Sequence, residues 1–262
     1  MSRGWAGTIF LAFCLAAGSS QWLKAQERSR ITAIEEKTRG MTKLDGYFPL
    51  YWDDREGILW LEIPRFDSDF LYITGLAAGL GSNDIGLDRG QAGDAAVVYF
   101  QRTGTKVFLV RRNEDFRSTS PNPAERRSME DSFAKSVLRG FTVAAESNGR
   151  VLVNATDFFL LDGYGAAQAL HPGKYHVDDS RSAVYLPRTK AFPKNTEIEV
   201  TLTFAKDTDG GFDPEWPVQG PPSICQGGGS ASAVKDGLFS GTVASVAPDA
   251  GAVTLREHYS LV

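Results

Sequence analysis

Histidines are the first residues to consider for chemistry, because most hydrolytic metal sites in proteins use them. The chain has three, His171, His176 and His258. The first two enclose the sequence "HPGKYH", whose proline and glycine prevent a helix from holding both on one face. The carboxylates of Asp178 and Asp179 follow closely, so a metal site in a loop is one interpretation. The spacing favours the other interpretation, two ordinary surface histidines.

A second candidate is the glycine-rich segment "GLGSNDIGLDRGQ", residues 79–91, between two strand-like runs. A dinucleotide-binding loop would need a helix directly after the glycines, and here a second strand follows. A calcium loop would need acids at alternating positions, whereas Asp84, Asp88 and Asp94 are four and six residues apart. The favoured interpretation is a packed surface loop. In it, Asn83 and Asp84 hydrogen-bond to the backbone, the glycines take positive φ, and Arg89 pairs with Asp84 or Asp88.

Aromatic side chains cluster along the first strand-like runs of the chain. Trp52, Trp60, Tyr47, Tyr51 and Tyr72 are candidates for a flat platform that binds a sugar or a peptide. Aromatic residues are also common in the cores of β proteins. The sequence favours the core interpretation and leaves the platform open.

Composition argues against a nucleic acid or an anionic membrane as the main partner. The chain is 42% hydrophobic and 23% charged, and its formal net charge is −4 with no basic stripe. Binding to phosphate-rich surfaces needs clustered Lys and Arg. We therefore predict no nucleic acid partner.

The N-terminal segment has the order of a secretory signal peptide. Arg3 comes first, residues 7–17 are apolar, and small and polar residues follow. The apolar run is short for a bilayer span, which disfavours the alternative of a membrane anchor. We predict that residues 1–25 are removed, that no stable membrane span is left, and that the protein is exported to the periplasm or the medium. Loss of Cys14 would leave Cys225 without an internal disulfide partner.

The rest of the chain predicts a mainly β (α+β) protein. Aromatic and β-branched runs with frequent turns follow Leu44, and two of them meet at "RTGTK", a hairpin signal. This pattern predicts an antiparallel sheet or sandwich with one or two short helices. Residues 26–45 are predicted as a linker or short helix. The Gly-, Pro- and Ser-rich residues 207–237 predict a long surface excursion.

The segment "SPNPAERRSMEDSFAKSVLRG" predicts the main helix. Asn122 or Ser120 can cap its start, and Gly140 is placed to end it. Three apolar residues recur at four-residue spacing and are expected to face the core: Met129, Phe133 and Val137.

Several segments together resemble the N-terminal region of a family of secreted bacterial zinc-dependent, metzincin-like metalloproteases. They are "GYFPLYWDDREGILWLEIPRFDSDFLYI", "FLYITGLAAGLGSNDIGLDRGQ", "VVYFQRTGTKVFLVRRNEDFR", "SMEDSFAKSVLRGF", "DFFLLD" and the closing "REHYSLV". The most specific part is "GSNDIGLDRGQ". We treat nine of its positions as a family-signature loop of unknown role: Gly81, Ser82, Asn83, Asp84, Gly86, Asp88, Arg89, Gly90 and Gln91.

The resemblance implies two domains of unknown function ahead of a catalytic domain. Residues 46–75 would be a small leading β domain, and residues 76–262 a larger β-rich domain that stops before the catalytic domain. In that family an HExxH motif and a third histidine hold zinc. No such motif occurs in these 262 residues, so the resemblance assigns no catalytic residue, metal ligand or cofactor to this chain. The implied partner is a downstream metalloprotease domain, in cis.

Three functions are therefore considered. The first is a non-catalytic N-terminal region of a secreted zinc-dependent metalloprotease, inactive alone, which predicts an exposed apolar face where the catalytic domain would dock. The alternative is an independent exported β-rich binding module for a glycan or a peptide. An enzyme in its own right would need His171, His176 and His258 to converge in space.

Overall fold

The computed structural model describes residues 31–81, 83–116, 118–207 and 242–262. The predicted signal peptide, Ser82 and Cys225 lie outside the described residues, as does almost all of the excursion predicted at 207–237. The described part forms a mainly β structure in which strand pairing is antiparallel, as predicted. Its strands are β1 Thr42–Leu44, β2 Leu50–Asp53, β3 Ile58–Ile63, β4 Phe70–Ala78, β5 Ala92–Thr103, β6 Lys106–Arg111, β7 Ser136–Ser147, β8 Arg150–Asn154, β9 Tyr175–Val177, β10 Ala183–Val184, β11 Lys190–Phe192, β12 Asn195–Lys206 and β13 Ala252–Leu261.

The strands form one sheet in the order β1-β2-β3-β8-β7-β6-β5-β4-β13-β12-β10, with β9 and β11 also paired to β12. Short turns connect strands that are consecutive in sequence and paired with each other. The predicted "RTGTK" hairpin joins β5 to β6, with Thr103 opposite Lys106 and Gly104 at φ 60°. At "SNG", Asn148 and Gly149 both have positive φ, the conformation that a tight hairpin turn requires. The long-range pairs β3–β8 and β4–β13 then join these hairpins into one sheet.

The sheet curls until its two ends meet, which nearly closes it into a barrel-like sandwich. Just before β2, the N–H of Tyr47 donates to the carbonyl of Phe192 on β11 at 2.7 Å. The next residue, Phe48, exchanges two hydrogen bonds with the hydroxyl of Thr196 on β12. Apolar residues from both ends of the strand order, such as Leu61 and Val200, consequently belong to one buried core.

Five short helices lie within the described ranges: α1 Ile34–Lys37, α2 Pro123–Ser132, α3 Thr156–Phe159, α4 Ala166–Ala169 and α5 Val243–Val246. Two 3₁₀ turns, Asp179–Arg181 and Leu186–Arg188, accompany them. Helix α1 lies within the residues predicted as a linker or short helix.

The main helix begins as predicted but ends earlier. Asn122 caps α2 through its side chain, which accepts from the N–H of Ala124 at 3.0 Å. The predicted end at Gly140 is wrong, because Phe133 is already extended and residues from Ser136 onward form β7 along β6. The predicted core stripe is also wrong. No residue of α2 is buried, and Val137, now on a strand, is 57% exposed.

The boundary that the resemblance places near residue 75 falls within β4, so the sheet runs across it. In the part of the chain that the structure describes, none of the helices has the length and hydrophobicity needed to cross a membrane.

Candidate functional site

The family-signature loop folds back on the end of β4. The N–H of Leu80 donates to the carbonyl of Leu87 at 2.9 Å, which closes the loop across its middle. The N–H of Gly90 donates to the carbonyl of Leu76 at 2.7 Å, and the N–H of Leu76 donates to the carbonyl of Gln91 at 2.9 Å. The long connection between β4 and β5 is therefore a structured loop, held by backbone hydrogen bonds to the end of β4.

Asn83 organises the tip of the loop. Its amide group donates to the carbonyls of Leu80 at 2.9 Å and Gly81 at 3.0 Å, while its side-chain oxygen accepts from the N–H of Ile85 at 2.9 Å. The predicted role of Asn83 in backbone hydrogen bonding is thus observed in the structure. The predicted positive φ is found at three glycines of the loop: Gly81, Gly86 and Gly90.

Apolar side chains anchor the loop to the core. Ile85 and Leu87 are buried and belong to the main core cluster. A Cβ atom at Gly79 would lie 1.9 Å from the carbonyl oxygen of Leu87, so only glycine allows this close approach. The loop is therefore a packed element rather than an open ligand cradle.

The charged residues of the loop are arranged differently from the prediction. Asp84 and Arg89 are exposed, and in the described ranges neither predicted ion pair of Arg89 is formed. Asp88 is half-buried, and its Oδ1 atom is buried with no hydrogen-bond partner among the described residues. An unsatisfied buried acceptor of this kind costs free energy unless something supplies a donor.

Gln91 connects the loop to a distant part of the chain. Its side-chain oxygen accepts from the hydroxyl of Tyr164 at 2.8 Å. Burial raises the pKa of Tyr164, and the nearby charges of Glu257 and Asp88 act in the same direction. The loop, the segment 161–170 and β13 therefore meet around Tyr164, and we call this meeting point the Tyr164 junction.

Asp162 holds the start of the short helix α4 at this junction. Its Oδ1 accepts from the N–H groups of Gly165 at 2.6 Å and Ala166 at 2.7 Å, and its Oδ2 accepts from the N–H of Ala167 at 2.8 Å. Three backbone donors on one carboxylate fix the turn that precedes α4.

Glu257 lies fully buried on β13 and faces the same turn. Its Oε2 accepts from the N–H groups of Gly163 at 3.0 Å and Tyr164 at 3.1 Å. The Tyr259 hydroxyl lies 2.9 Å from the same oxygen and 2.6 Å from the carbonyl oxygen of Leu161. Strand β13 and segment 161–164 are thus joined through one buried carboxyl group.

Burial raises the pKa of Glu257 to about 8, and the adjacent carboxylate of Asp162 acts in the same direction. Hydrogen bonds from Tyr259 and from the N–H of Tyr164 oppose this rise. The carboxyl group is therefore largely neutral at pH 7. Its Oε1 accepts no hydrogen bond among the described residues, and when this carboxyl group is protonated it can donate to Asp162. Glu257 has no exposed surface, so a substrate does not reach its carboxyl group in this conformation, whereas Asp162 is half-buried. We call this pair of acids the clamp.

The clamp was not predicted, although the sequence contains one signal for it. In "AVTLREHYSLV" the inward positions of β13 are alternating residues, namely Val253, Leu255, Glu257, Tyr259 and Leu261. A glutamate in an otherwise apolar inward series predicts a buried acid. Its partner Asp162 could not be found this way, because it lies far away in sequence on a turn.

The three histidines have separate partners. His171 Nδ1 lies 2.8 Å from the carbonyl of Ala169, His176 Nδ1 lies 2.7 Å from Asp207, and His258 Nε2 lies 2.7 Å from Glu197. His176 and His258 pair with positions of β12 six residues apart, so they are separated by about 20 Å along that strand. Within the described ranges, no three His, Cys, Asp or Glu side chains are close enough to hold a metal ion.

The aromatic cluster follows the core interpretation. Tyr51 and Trp60 are buried in a second cluster beneath α1. The other three, Tyr47, Trp52 and Tyr72, are partly buried and pack against the main core.

Comparisons with known proteins give one match. Residues 90–235 match the family described as Domain of unknown function (DUF5117), which covers more than half of the 262 residues. Neither the curated proteins nor the solved structures gave a match. The chain therefore belongs to the family of the domain of unknown function DUF5117.

Proposed function

We propose that this chain is the non-catalytic N-terminal region of a secreted zinc-dependent metalloprotease. The support from sequence is the resemblance centred on "GSNDIGLDRGQ". The family match at 90–235 lies inside residues 76–262, the part that the resemblance assigns to the larger domain of unknown function. In this proposal, zinc and the HExxH histidines belong to a catalytic domain outside these residues, and the present chain supplies a folded support for it.

The observation that carries the proposal is an apolar strip on the outer face of the sheet. Leu71 on β4 and Val262 after β13 each donate an N–H to the other's carbonyl at 2.9 Å, so their side chains lie on the same face. Leu71 is 41% exposed, and Val97 on β5, also partly exposed, is its partner on the other side. Contiguous exposed apolar surface is typical of a docking face. We assign it to the catalytic domain of the same polypeptide.

The first experiment is to sequence the genomic DNA beyond the codon for Val262 and to probe cell and medium fractions with an antibody against this chain. The proposal expects an HExxH-encoding segment downstream, in frame or past one frameshift, and an exported species much larger than 28.5 kDa. A stop codon followed by unrelated sequence, with a single species at or below 28.5 kDa, would overturn it. That result would favour the exported binding module.

A variant of the full-length protein tests the docking face. Leu71→Glu places a charge in the apolar strip, whereas Leu138→Glu makes the same change at a similarly exposed position on β7. The proposal expects faster limited proteolysis between this N-terminal region and the catalytic domain in the Leu71→Glu variant only. Equal cleavage rates would exclude this face as the contact.

A further inference from the structure

The outer face of β5 and β6 carries a covered apolar patch that is separate from the core. Tyr99 and Val110 are cross-strand partners, and their neighbours Val98, Phe100 and Leu109 point to the main core. Because side chains alternate along a strand, Tyr99 and Val110 face outward. Both are nevertheless buried, at 5% and 2% exposure. Something on the outside of the sheet must therefore cover them.

The cover is built from α2 and the chain on either side of it. Phe116, before the helix, and Phe133, at its end, stack with ring centroids 4.0 Å apart and planes inclined by 5°. Together with Met129 on α2, they line the same space as Tyr99. The stacked pair links the end of this helix, which has no buried residue, to the chain segment before it.

A cavity that is partly open to solvent remains between this cover and the sheet. Its volume is about 190 Å³, and its apolar lining consists of Tyr99, Phe116, Met129 and Phe133. A cavity of about 150 Å³ in another protein is large enough to bind benzene. The space therefore suits one aromatic ring, with aromatic walls that favour stacked or edge-to-face contacts.

Charges around the cavity are mostly positive. Arg112, Arg126 and Lys135 line it, against one acid, Glu130. Arg112 stacks over Tyr99 at 4.6 Å and donates to Asp69, and Lys135 lies 4.0 Å from Glu130. Arg126 has no ion pair within the described ranges and uses only Nη1, which donates to the carbonyl of Ser120 at 2.7 Å. Its remaining N–H groups suit a carboxylate, which a guanidinium binds with charge-assisted hydrogen bonds.

We propose that this cavity binds an aromatic side chain with a neighbouring carboxylate, the chemistry of a C-terminal aromatic residue. The ring occupies the part of the cavity that Phe116, Met129 and Phe133 line, and the carboxylate pairs with Arg126. A free N-acylated aromatic amino acid and a peptide that ends in one both present this chemistry. The site lies within this chain, so it does not depend on a protease domain downstream.

The test is a titration of the isotope-labelled, signal-free chain, followed by ¹⁵N–¹H NMR. The probes are N-acetyl-phenylalanine, its amide, and a peptide with a free C-terminal phenylalanine. We expect saturable shifts for residues around the cavity, with a Kd on the order of 1 mM for so small a ligand. The acid should bind about fivefold more tightly than the amide, because only the acid pairs with Arg126. Tighter binding of the peptide identifies a peptide as the natural source, and weaker binding identifies the free acid; both support the site.

Two matched variants assign the carboxylate contact. Arg126→Gln should reduce the preference for the acid over the amide to less than about twofold. Arg127→Gln changes the neighbouring exposed cation, which does not line the cavity, and should leave the preference unchanged. Met129→Trp, which fills the cavity, should abolish binding of all three probes. Absence of saturable shifts, equal binding of acid and amide, or equal effects of the two arginine variants would overturn the proposal.

Discussion

The hydroxyl of Thr196 donates to the carbonyl of Phe48 at 2.9 Å and accepts from the N–H of the same residue at 3.0 Å. The two residues are 148 positions apart in sequence and lie near opposite ends of the strand order. Where the curled sheet closes, the side chain of Thr196 thus makes the hydrogen bonds that the backbone of a neighbouring strand would otherwise make. Both residues are buried, so water cannot substitute for these hydrogen bonds.

The first prediction concerns this closure. Thr196→Val keeps the shape of the side chain but leaves the N–H and the carbonyl of Phe48 without a partner. We expect the free energy of unfolding to fall by about 2 kcal/mol, measured by urea denaturation. Thr201→Val, on the same strand and partly exposed, should change it by less than about 0.5 kcal/mol. Equal effects of the two variants would show that the hydroxyl of Thr196 is not needed for closure.

The second prediction concerns the signature loop. Gly79→Ala places a Cβ atom 1.9 Å from the carbonyl oxygen of Leu87, so the hydrogen bond from Leu80 to Leu87 must break or the strand must move. We expect a loss of about 2–3 kcal/mol in the free energy of unfolding and faster amide hydrogen exchange at Leu80. Gly140→Ala is the control, because its Cβ would lie an ordinary 3.5 Å from the ring of Phe108. Unchanged exchange at Leu80 would contradict the predicted disruption.

The third prediction concerns pH. The folded-state pKa of Glu257 is raised to about 8 from 4.5, so its contribution to stability is fully present below about pH 4.5 and declines as the pH rises through 8. Between these values the folded state binds the extra proton, and the unfolded state does not. We expect the free energy of unfolding, measured by urea titration, to fall by as much as about 1.4 kcal/mol per pH unit between pH 6 and pH 8.

Glu257→Gln is the matched variant, because an amide imitates the neutral acid and can donate to Asp162. Its free energy of unfolding should vary much less with pH and exceed that of the native chain at pH 9. Glu56→Gln, at an exposed position, should behave like the native chain. Burial also raises the pKa values of Tyr72, Tyr164 and Tyr259, so these phenols stay protonated in this range. Parallel pH profiles for Glu257→Gln and the native chain would disprove the role of Glu257.

The sequence was informative wherever structure depends on neighbours along the chain. Alternation and turn chemistry predicted the antiparallel β class, the "RTGTK" hairpin and the cap at Asn122. The end of α2 was mispredicted because Met129, Phe133 and Val137 fit a helical stripe, while pairing of β7 with β6 decides the actual conformation. Such pairing depends on distant residues, and it overrides local propensity.

In the candidate site, too, contacts between neighbours in sequence were predicted and contacts between distant residues were not. The role of Asn83 in the loop depends on residues within three positions, and it was predicted. The clamp joins Asp162 to Glu257, and the loop reaches it through Gln91 and Tyr164, which are 73 positions apart. Nothing in a single sequence indicates such contacts, because they exist only after the sheet has brought β4 and β13 together.

The last prediction compares two arginines whose side chains are equally exposed, at 31%. Arg150 pairs with Glu62, which is 3% exposed, whereas Arg102 pairs with Glu146, which is 40% exposed. Arg150→Met leaves a carboxylate buried without its counter-charge, so we expect a loss of about 3–5 kcal/mol in the free energy of unfolding. Arg102→Met should cost less than about 1 kcal/mol, because water solvates the released partner. Adding Glu62→Gln to Arg150→Met should restore part of the loss. If the two single variants are equally stable in urea, the buried pair does not stabilise the attachment of β8 to β3.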